Sequence, residues 1–202
     1  MCSASFNLYR ALRAAFPSDL DSIAVETDNG LFYTWSDLDA GSAKLANFLQ
    51  SLDLPRGARV VVQVATSVEA LMLYLATLRA GLVYWPLNIA SQRAEMASVI
   101  AQAKPAVVVC GTPNFGWVSK LAFQAGSTWV FTLNDDRTGS LLERAVHAPD
   151  QHSPAGYQTE DLAVSHDKVP SLGAVVPELP RDAVGALQIN LLWAHFGALQ
   201  SR

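Results

Sequence analysis

A chain of 202 residues, half of them apolar and 16% charged, holds enough material for one packed domain with an appendage and is no disordered polymer. The net charge of −4, with no Lys/Arg stripe, gives no footing for nucleic-acid binding, and no run approaches the ~18 apolar residues of a membrane span. Two cysteines, Cys2 and Cys110, make no disulfide framework; Cys110 closes an apolar run as a buried thiol, and a cytoplasmic protein fits this usage.

Residues 1–19 contain arginines and no acid before Asp19, a composition shared with transit peptides. The spacing of Phe6, Leu8, Leu12 and Phe16 predicts instead an amphipathic first helix, with Arg10 and Arg13 on its wet face. Ile23 to Glu26 and Leu31 to Tyr33 are β-prone, and Asn29-Gly30 between them predicts a hairpin closed by a type I′ turn. Thr34 or Ser36 caps the next helix, whose inner face is Leu38, Leu45, Phe48, Leu49 and Leu52. Pro55 stops that helix and Gly57 opens the following turn.

"ARVVVQVA" is a continuous apolar run, as expected of a strand buried on both faces of a parallel sheet. Ser67 starts a helix through "VEALMLYLATLRAG", with Arg79 near its C-terminus and Gly81 as its stop. "LVYWPL" is the next short strand. "SQRAEMASVIAQAKP" follows as a helix with Ser91 as its expected cap, and "PAVVVC" as another buried strand. A helix near 114–125 and the strand "TWVFTL" at 128–133 complete the alternation, which indicates βαβ units with right-handed crossovers. After Ala148 the pattern breaks. "PDQHSPAG" reads as a loop or linker, residues 169–180 hold three prolines, and Leu187, Leu191, His195 and Leu199 space out a last helix.

The order of these elements carries a resemblance. Tyr33-Thr34-Trp35, a helix, Gly57-Ala58-Arg59-Val60, an apolar strand, a helix ending in Arg79-Ala80-Gly81, then Pro86-Leu87-Asn88 resemble the N-terminal region of the adenylate-forming acyl-CoA synthetases. "SVEALMLYLATLRAGLVYWPLN", Ala94-Glu95 and "KPAVVVC" resemble the malonyl-CoA synthetases in particular. The resemblance covers about residues 6–165 and is specific through its order, since each tripeptide alone is a weak signal. It implies an α/β fold, a partial acyl-CoA synthetase N-terminal domain with a mostly parallel sheet, flanking helices and an N-terminal hairpin. It also implies a two-step reaction. A carboxylate attacks the α-phosphate of ATP to give an acyl-adenylate and pyrophosphate, and the thiol of coenzyme A then displaces AMP. For Tyr84 and Trp85 the expected role is packing at a sheet edge, where Pro86 needs no N–H donor.

That chemistry brings anions together and requires Mg²⁺ and a Gly/Ser/Thr-rich phosphate loop with a lysine. Neither "CGTPNFGW" nor "DDRTGSL" has the order or the lysine. Glu160-Asp161-Leu162-Ala163-Val164 runs straight into Ser165-His166-Asp167, as if the flanks of the family's phosphate loop had been joined without it. The family's adenine segment, ribose-binding Asp, hinge and C-terminal lysine are likewise not found.

Other constellations carry less. Ser165-His166-Asp167 has the letters of a hydrolase triad, but triads assemble from separated positions. His147, His152 and His195 lack metal-ligand spacing, and Asp135-Asp136 reads as a solvated turn. A dinucleotide-binding enzyme would want G-x-G-x-x-G after its first strand, and "VVVQVATSVEAL" has none. The expectation is therefore residues 1–165 as a partial synthetase domain and 166–202 as an atypical tail, inactive alone, with no catalytic, cofactor-binding or metal residue assigned. No cofactor is expected for this chain itself. ATP, Mg²⁺ and coenzyme A serve the full-length family, with a small malonate-like carboxylic acid as substrate. Exposed apolar surface predicts self-association. The competing readings are a non-catalytic binding module derived from the fold and a truncated product with no stable role.

Overall fold

The computed structural model describes residues 7–154. Cys2, Phe6, Ser165-His166-Asp167, His195, the expected tail and the boundary at 165/166 lie outside them. The described chain runs α1 (Leu8–Ala14), β1 (Ile23–Glu26), β2 (Phe32–Thr34), α2 (Trp35–Gln50), β3 (Arg59–Gln63), α3 (Val68–Arg79), β4 (Val83–Pro86), α4 (Arg93–Ala103), β5 (Val107–Cys110), α5 (Phe115–Gln124), β6 (Trp129–Thr132) and α6 (Ser140–Ala145). A 3₁₀ turn at Thr112–Asn114 precedes α5.

The sheet has the order β4-β3-β5-β6 and is parallel throughout, in the register Val61↔Trp85, Val61↔Val108 and Val108↔Val130. β3 and β5 lie in its centre, which is why both are unbroken valine runs. Alternation sends Val60 and Val62 to one face and Val61 to the other. The first face packs against α2, α3 and α6 through Leu45, Leu49, Leu73 and Leu141; the second packs against α4 and α5 through Met96, Ile100 and Val118. Truncating a wholly buried residue such as Leu73 to alanine costs about 2–5 kcal/mol. β4 pairs only with β3 among the described residues, so Pro86 sits where a missing N–H is tolerated. Trp85 is buried beneath α4, and Tyr84 meets Tyr74 of α3 edge to face at 5.2 Å.

The caps explain where helices begin. Thr34 accepts from the Asp37 N–H while the Asp37 carboxylate accepts from the Thr34 N–H, a complete capping box for α2. Ser67 caps α3 by accepting from the Ala70 N–H. Gly81 follows α3 at φ +75° and lets the chain turn into β4.

Four expectations need correction. The hairpin does not use a type I′ turn: Asn29 lacks the required positive φ, and only Gly30 has it, at +79°. The Gly30 N–H donates to Thr27 O and the Thr27 N–H to Leu31 O, the pattern of a three-residue loop closed by a left-handed glycine. Ser91 does not cap α4; Gln92 occupies that position without a side-chain bond. α2 ends at Gln50, well before Pro55, and the turn after it places Asp53 at φ +52°. Finally, α6 adds a helix beyond the alternation that was expected to end with the strand at 128–133. Ser140 ties the start of α6 to β6: its hydroxyl accepts from the Thr132 N–H at 3.0 Å, and its N–H donates to Thr132 Oγ1 at 2.9 Å.

Candidate functional site

In an open parallel sheet the place for a ligand is the carboxyl edge, at the point where successive crossovers change direction. Here that point lies between β3, which leads outward to β4, and β5, which returns to the other side of β3. Gln63 closes β3 there and is almost wholly buried. Its amide donates to Asn88 O and Ser91 O, both at 3.2 Å, and so holds the loop between β4 and α4. Its Oε1 is buried without a hydrogen-bond partner. Opposite, Asn134 joins the loops after β5 and β6: it accepts from the Thr112 N–H at 3.0 Å and donates to Thr112 Oγ1 and Thr138 Oγ1, each at 2.9 Å. Glu69, buried in the first turn of α3, accepts from Tyr33 Oη at 3.0 Å and pairs with Arg137 at 3.5 Å. An apolar hollow of about 350 Å³ opens beside α3, walled by Val64, Leu71, Tyr74, Tyr84 and Leu87.

The described residues at this edge do not fit nucleotide phosphates. A Cβ on Gly139 would collide with the Thr132 carbonyl oxygen, so that glycine brings the loop onto β6. Asp135 and Asp136 are exposed, and Asp136 Oδ1 accepts from the Thr138 N–H and hydroxyl within its own turn. Among the described residues no three His, Cys, Asp or Glu side chains gather to hold a metal. Cys110 ends β5 fully buried; burial pushes its thiol up to about 12, so it is a core residue and not a nucleophile.

Among the described residues a dense polar cluster lies elsewhere, on the opposite end of α3. Arg79 is 5% exposed. Its Nη1 lies within hydrogen-bond distance of Asp39 Oδ1 and Tyr9 Oη, both at 2.7 Å, of Asp39 O at 2.9 Å and of Ser42 Oγ at 3.0 Å. Its Nη2 donates to His152 O at 3.0 Å. Tyr9 donates its hydroxyl to Asp39 Oδ1 at 2.5 Å, and Arg13 Nε donates to Asp39 Oδ2 at 3.0 Å. Burial opposes ionisation of Asp39, but the bonds from Tyr9, Arg79 and Arg13 outweigh it and hold the carboxyl below its ordinary value. Burial and the bond to Asp39 push the Tyr9 phenol up, and burial together with the Arg79 charge pushes His152 down.

Arg13 is thus not simply on a wet face, whereas Arg10 is exposed as expected. Residues 149–154 are irregular as expected, yet they are fastened down. Asn47 Nδ2 donates to Pro149 O and Gln151 O at 2.8 and 2.9 Å, and Arg79 holds His152. Sequence reasoning gave Arg79 to the helix dipole and missed the cluster. Tyr9, Asp39, Arg79 and His152 come from four separate segments with no shared spacing. The one available signal was an arginine at the end of a helix that is apolar nearly all round.

The comparisons agree with this architecture. The model of the AMP-binding enzyme family matches residues 13–177. Apo MatB from Rhodopseudomonas palustris superposes with a TM-score of 0.74 and is 37% identical, over 78% of this chain and 31% of that one. The medium-chain fatty-acid–CoA ligase of Escherichia coli (strain K12) is 36% identical over 86 residues, 42% of this chain and 15% of the ligase. A bassianolide nonribosomal cyclodepsipeptide synthetase of Beauveria bassiana is 34% identical over 99 residues, 49% of this chain and 3% of the synthetase. The chain therefore spans less than a third of each of these relatives. A parallel β4-β3-β5-β6 sheet, a capped α3 that ends in Arg79-Ala80-Gly81 and a family match over most of the length lead to one assignment: the chain belongs to the AMP-binding enzyme family and corresponds to the N-terminal part of its acyl-CoA synthetase domain.

Proposed function

We propose that this chain is the N-terminal scaffold portion of a malonyl-CoA synthetase-like enzyme, and that it does not catalyse alone. In complete form such an enzyme converts a small malonate-like carboxylate, ATP and coenzyme A to acyl-CoA, AMP and pyrophosphate, with Mg²⁺. The observation that carries this reading is the 37% identity with MatB, sustained over 78% of this chain. The described residues supply structure to that reaction: strand ends, loop anchors and the fastening of residues 149–154. The carboxyl edge of the described sheet has no glycine-rich loop with a lysine, so ATP, Mg²⁺ and coenzyme A are assigned to the complete enzyme and not to these residues. A cytoplasmic location belongs to the same reading. It is supported by the buried free thiol of Cys110, and no described helix is long and apolar enough to cross a membrane.

Two measurements test it. The purified 202-residue chain, given ATP, malonate and coenzyme A, is expected to release no AMP, since loss of even one oxyanion donor costs about 3 kcal/mol of transition-state stabilisation. Malonate-dependent turnover by this chain would overturn the inactivity. A chimera with residues 20–135 replacing the equivalent segment of MatB is expected to fold and turn over malonate. A soluble chimera that works only with another acid would overturn the malonyl assignment.

A further inference from the structure

We propose that the pocket beside the Arg79 cluster binds a phosphate-class dianion, either inorganic phosphate or a phosphomonoester. The pocket has a volume of about 580 Å³ and is open to solvent between α1 and residues 152–154, with Tyr9, Arg10, Arg13, Asp39, Arg79 and His152 in its walls. Its charges do not balance. Among the described residues three guanidinium groups line it, against the single carboxylate of Asp39. That carboxylate is already divided, Oδ1 between Arg79 and Tyr9 and Oδ2 to Arg13. The Arg10 side chain has no ion pair or hydrogen bond among the described residues, and it stands exposed at the rim. Among the described residues the excess is two positive charges, the complement of a dianion.

The donor geometry points the same way. Among the described residues, Arg79 Nε and the His152 ring nitrogens are buried without a partner, and the neutral imidazole has one N–H to donate. Guanidinium groups present planar forks of N–H donors that match phosphate oxygens two at a time. Partial enclosure limits screening by salt, so the attraction is stronger here than for the same arginines on an open surface. Cation–π contacts fix two of the walls: Arg79 lies 4.4 Å from the Tyr9 ring centre and Arg13 lies 5.0 Å from that of Phe16. The cluster is held in place before a ligand arrives, which lowers the cost of binding.

The test titrates the intact chain with sodium phosphate, sodium glycerol 3-phosphate and sodium chloride at matched ionic strength. Thermal unfolding and the histidine ring resonances are followed, with His152 assigned through H152N. Phosphate is expected to raise the melting temperature beyond chloride and to shift the His152 resonances. Arg10→Gln is expected to weaken binding about tenfold, in keeping with one charge-assisted contact, while Arg10→Lys recovers part of it. Arg10 is exposed, so neither variant threatens folding. Tighter binding of glycerol 3-phosphate identifies a phosphomonoester as the ligand, and equal binding identifies free phosphate. Equal responses to phosphate and chloride, or an unchanged titration of Arg10→Gln, overturn the site.

Discussion

The Arg79 side chain ties together four separate residues of the described chain: Tyr9, Asp39, Ser42 and His152. It reaches α1 through Tyr9, α2 through Asp39 and Ser42, and residue 152 through a backbone carbonyl, all from the last position of α3. Removing it would leave Asp39 partly buried without its principal cation. Arg79→Ala is therefore expected to destabilise the chain by about 3 kcal/mol, and Arg79→Lys by less, because one ammonium cannot serve both α2 and the His152 carbonyl. Urea unfolding of the two variants checks this. His152 adds a pH dependence whose sign follows from its depressed value. The folded state holds the imidazole neutral, because burial and Arg79 disfavour its charge, while the unfolded chain protonates it near the ordinary 6.5. Stability is then complete above that value and declines as the pH falls below it. Asp39 acts in the same direction but later, below the ordinary carboxylate value of 3.8. Unfolding free energies measured from neutral pH downward should fall in the wild type, and less steeply in His152→Gln over the first part of that range.

At the level of elements, two glycines mark contacts that a side chain would spoil to different degrees. Gly41 lies in α2 where the helix crosses α3, and a Cβ there would come within 2.5 Å of Met72 Sδ. Met72 is flexible and can yield, and alanine favours a helix over glycine by about 1 kcal/mol. Gly41→Ala should therefore be near neutral, whereas Gly41→Val should cost about 1–3 kcal/mol by overpacking. Gly139 is less forgiving. Its φ is +131° and the obstructing atom is the Thr132 carbonyl oxygen, which belongs to β6 and cannot step aside. Gly139→Ala should cost about 1–3 kcal/mol from backbone strain alone and loosen α6 from the sheet. Equilibrium unfolding of the three variants ranks them, and a Gly139→Ala protein as stable as Gly41→Ala would contradict this account.

The whole molecule leaves large apolar side chains in water. Ile23 and Phe32 of the hairpin are 59% and 57% exposed, and Ile89 and Phe123 are each 57% exposed. Wetted apolar area forgoes about 25 cal/mol for each Å² that burial would have removed from solvent. These exposures are of the described residues, and the hairpin carries two of the largest. Concentration-dependent self-association follows as an expectation, with the hairpin as its first contact. Sedimentation velocity over a range of concentrations should show it, and Phe32→Lys should diminish it. A wild-type chain that stays monomeric throughout would remove the argument.

Nearly every strand and helix of residues 20–135 was legible in the sequence, for a local reason. The valine runs 60–62 and 107–109 can only be satisfied when both faces are covered, and Thr34, Ser67 and Gly81 announce helix ends through chemistry confined to a few residues. The family followed from the order of those signals. Three things were not legible. The hairpin turn depended on which of Asn29 and Gly30 took the left-handed conformation, a choice made by the pairing of the strands around it. α6 formed at a glycine because Ser140 found Thr132 across the fold. The Arg79 cluster and its excess charge arose because α1, α2, α3 and residues 152–154 meet at one place. Caps and apolar periodicity act over a few residues and are written in the chain. The balance of charge in a pocket is a sum over side chains up to 143 positions apart, from Tyr9 to His152, and only the tertiary structure performs that sum.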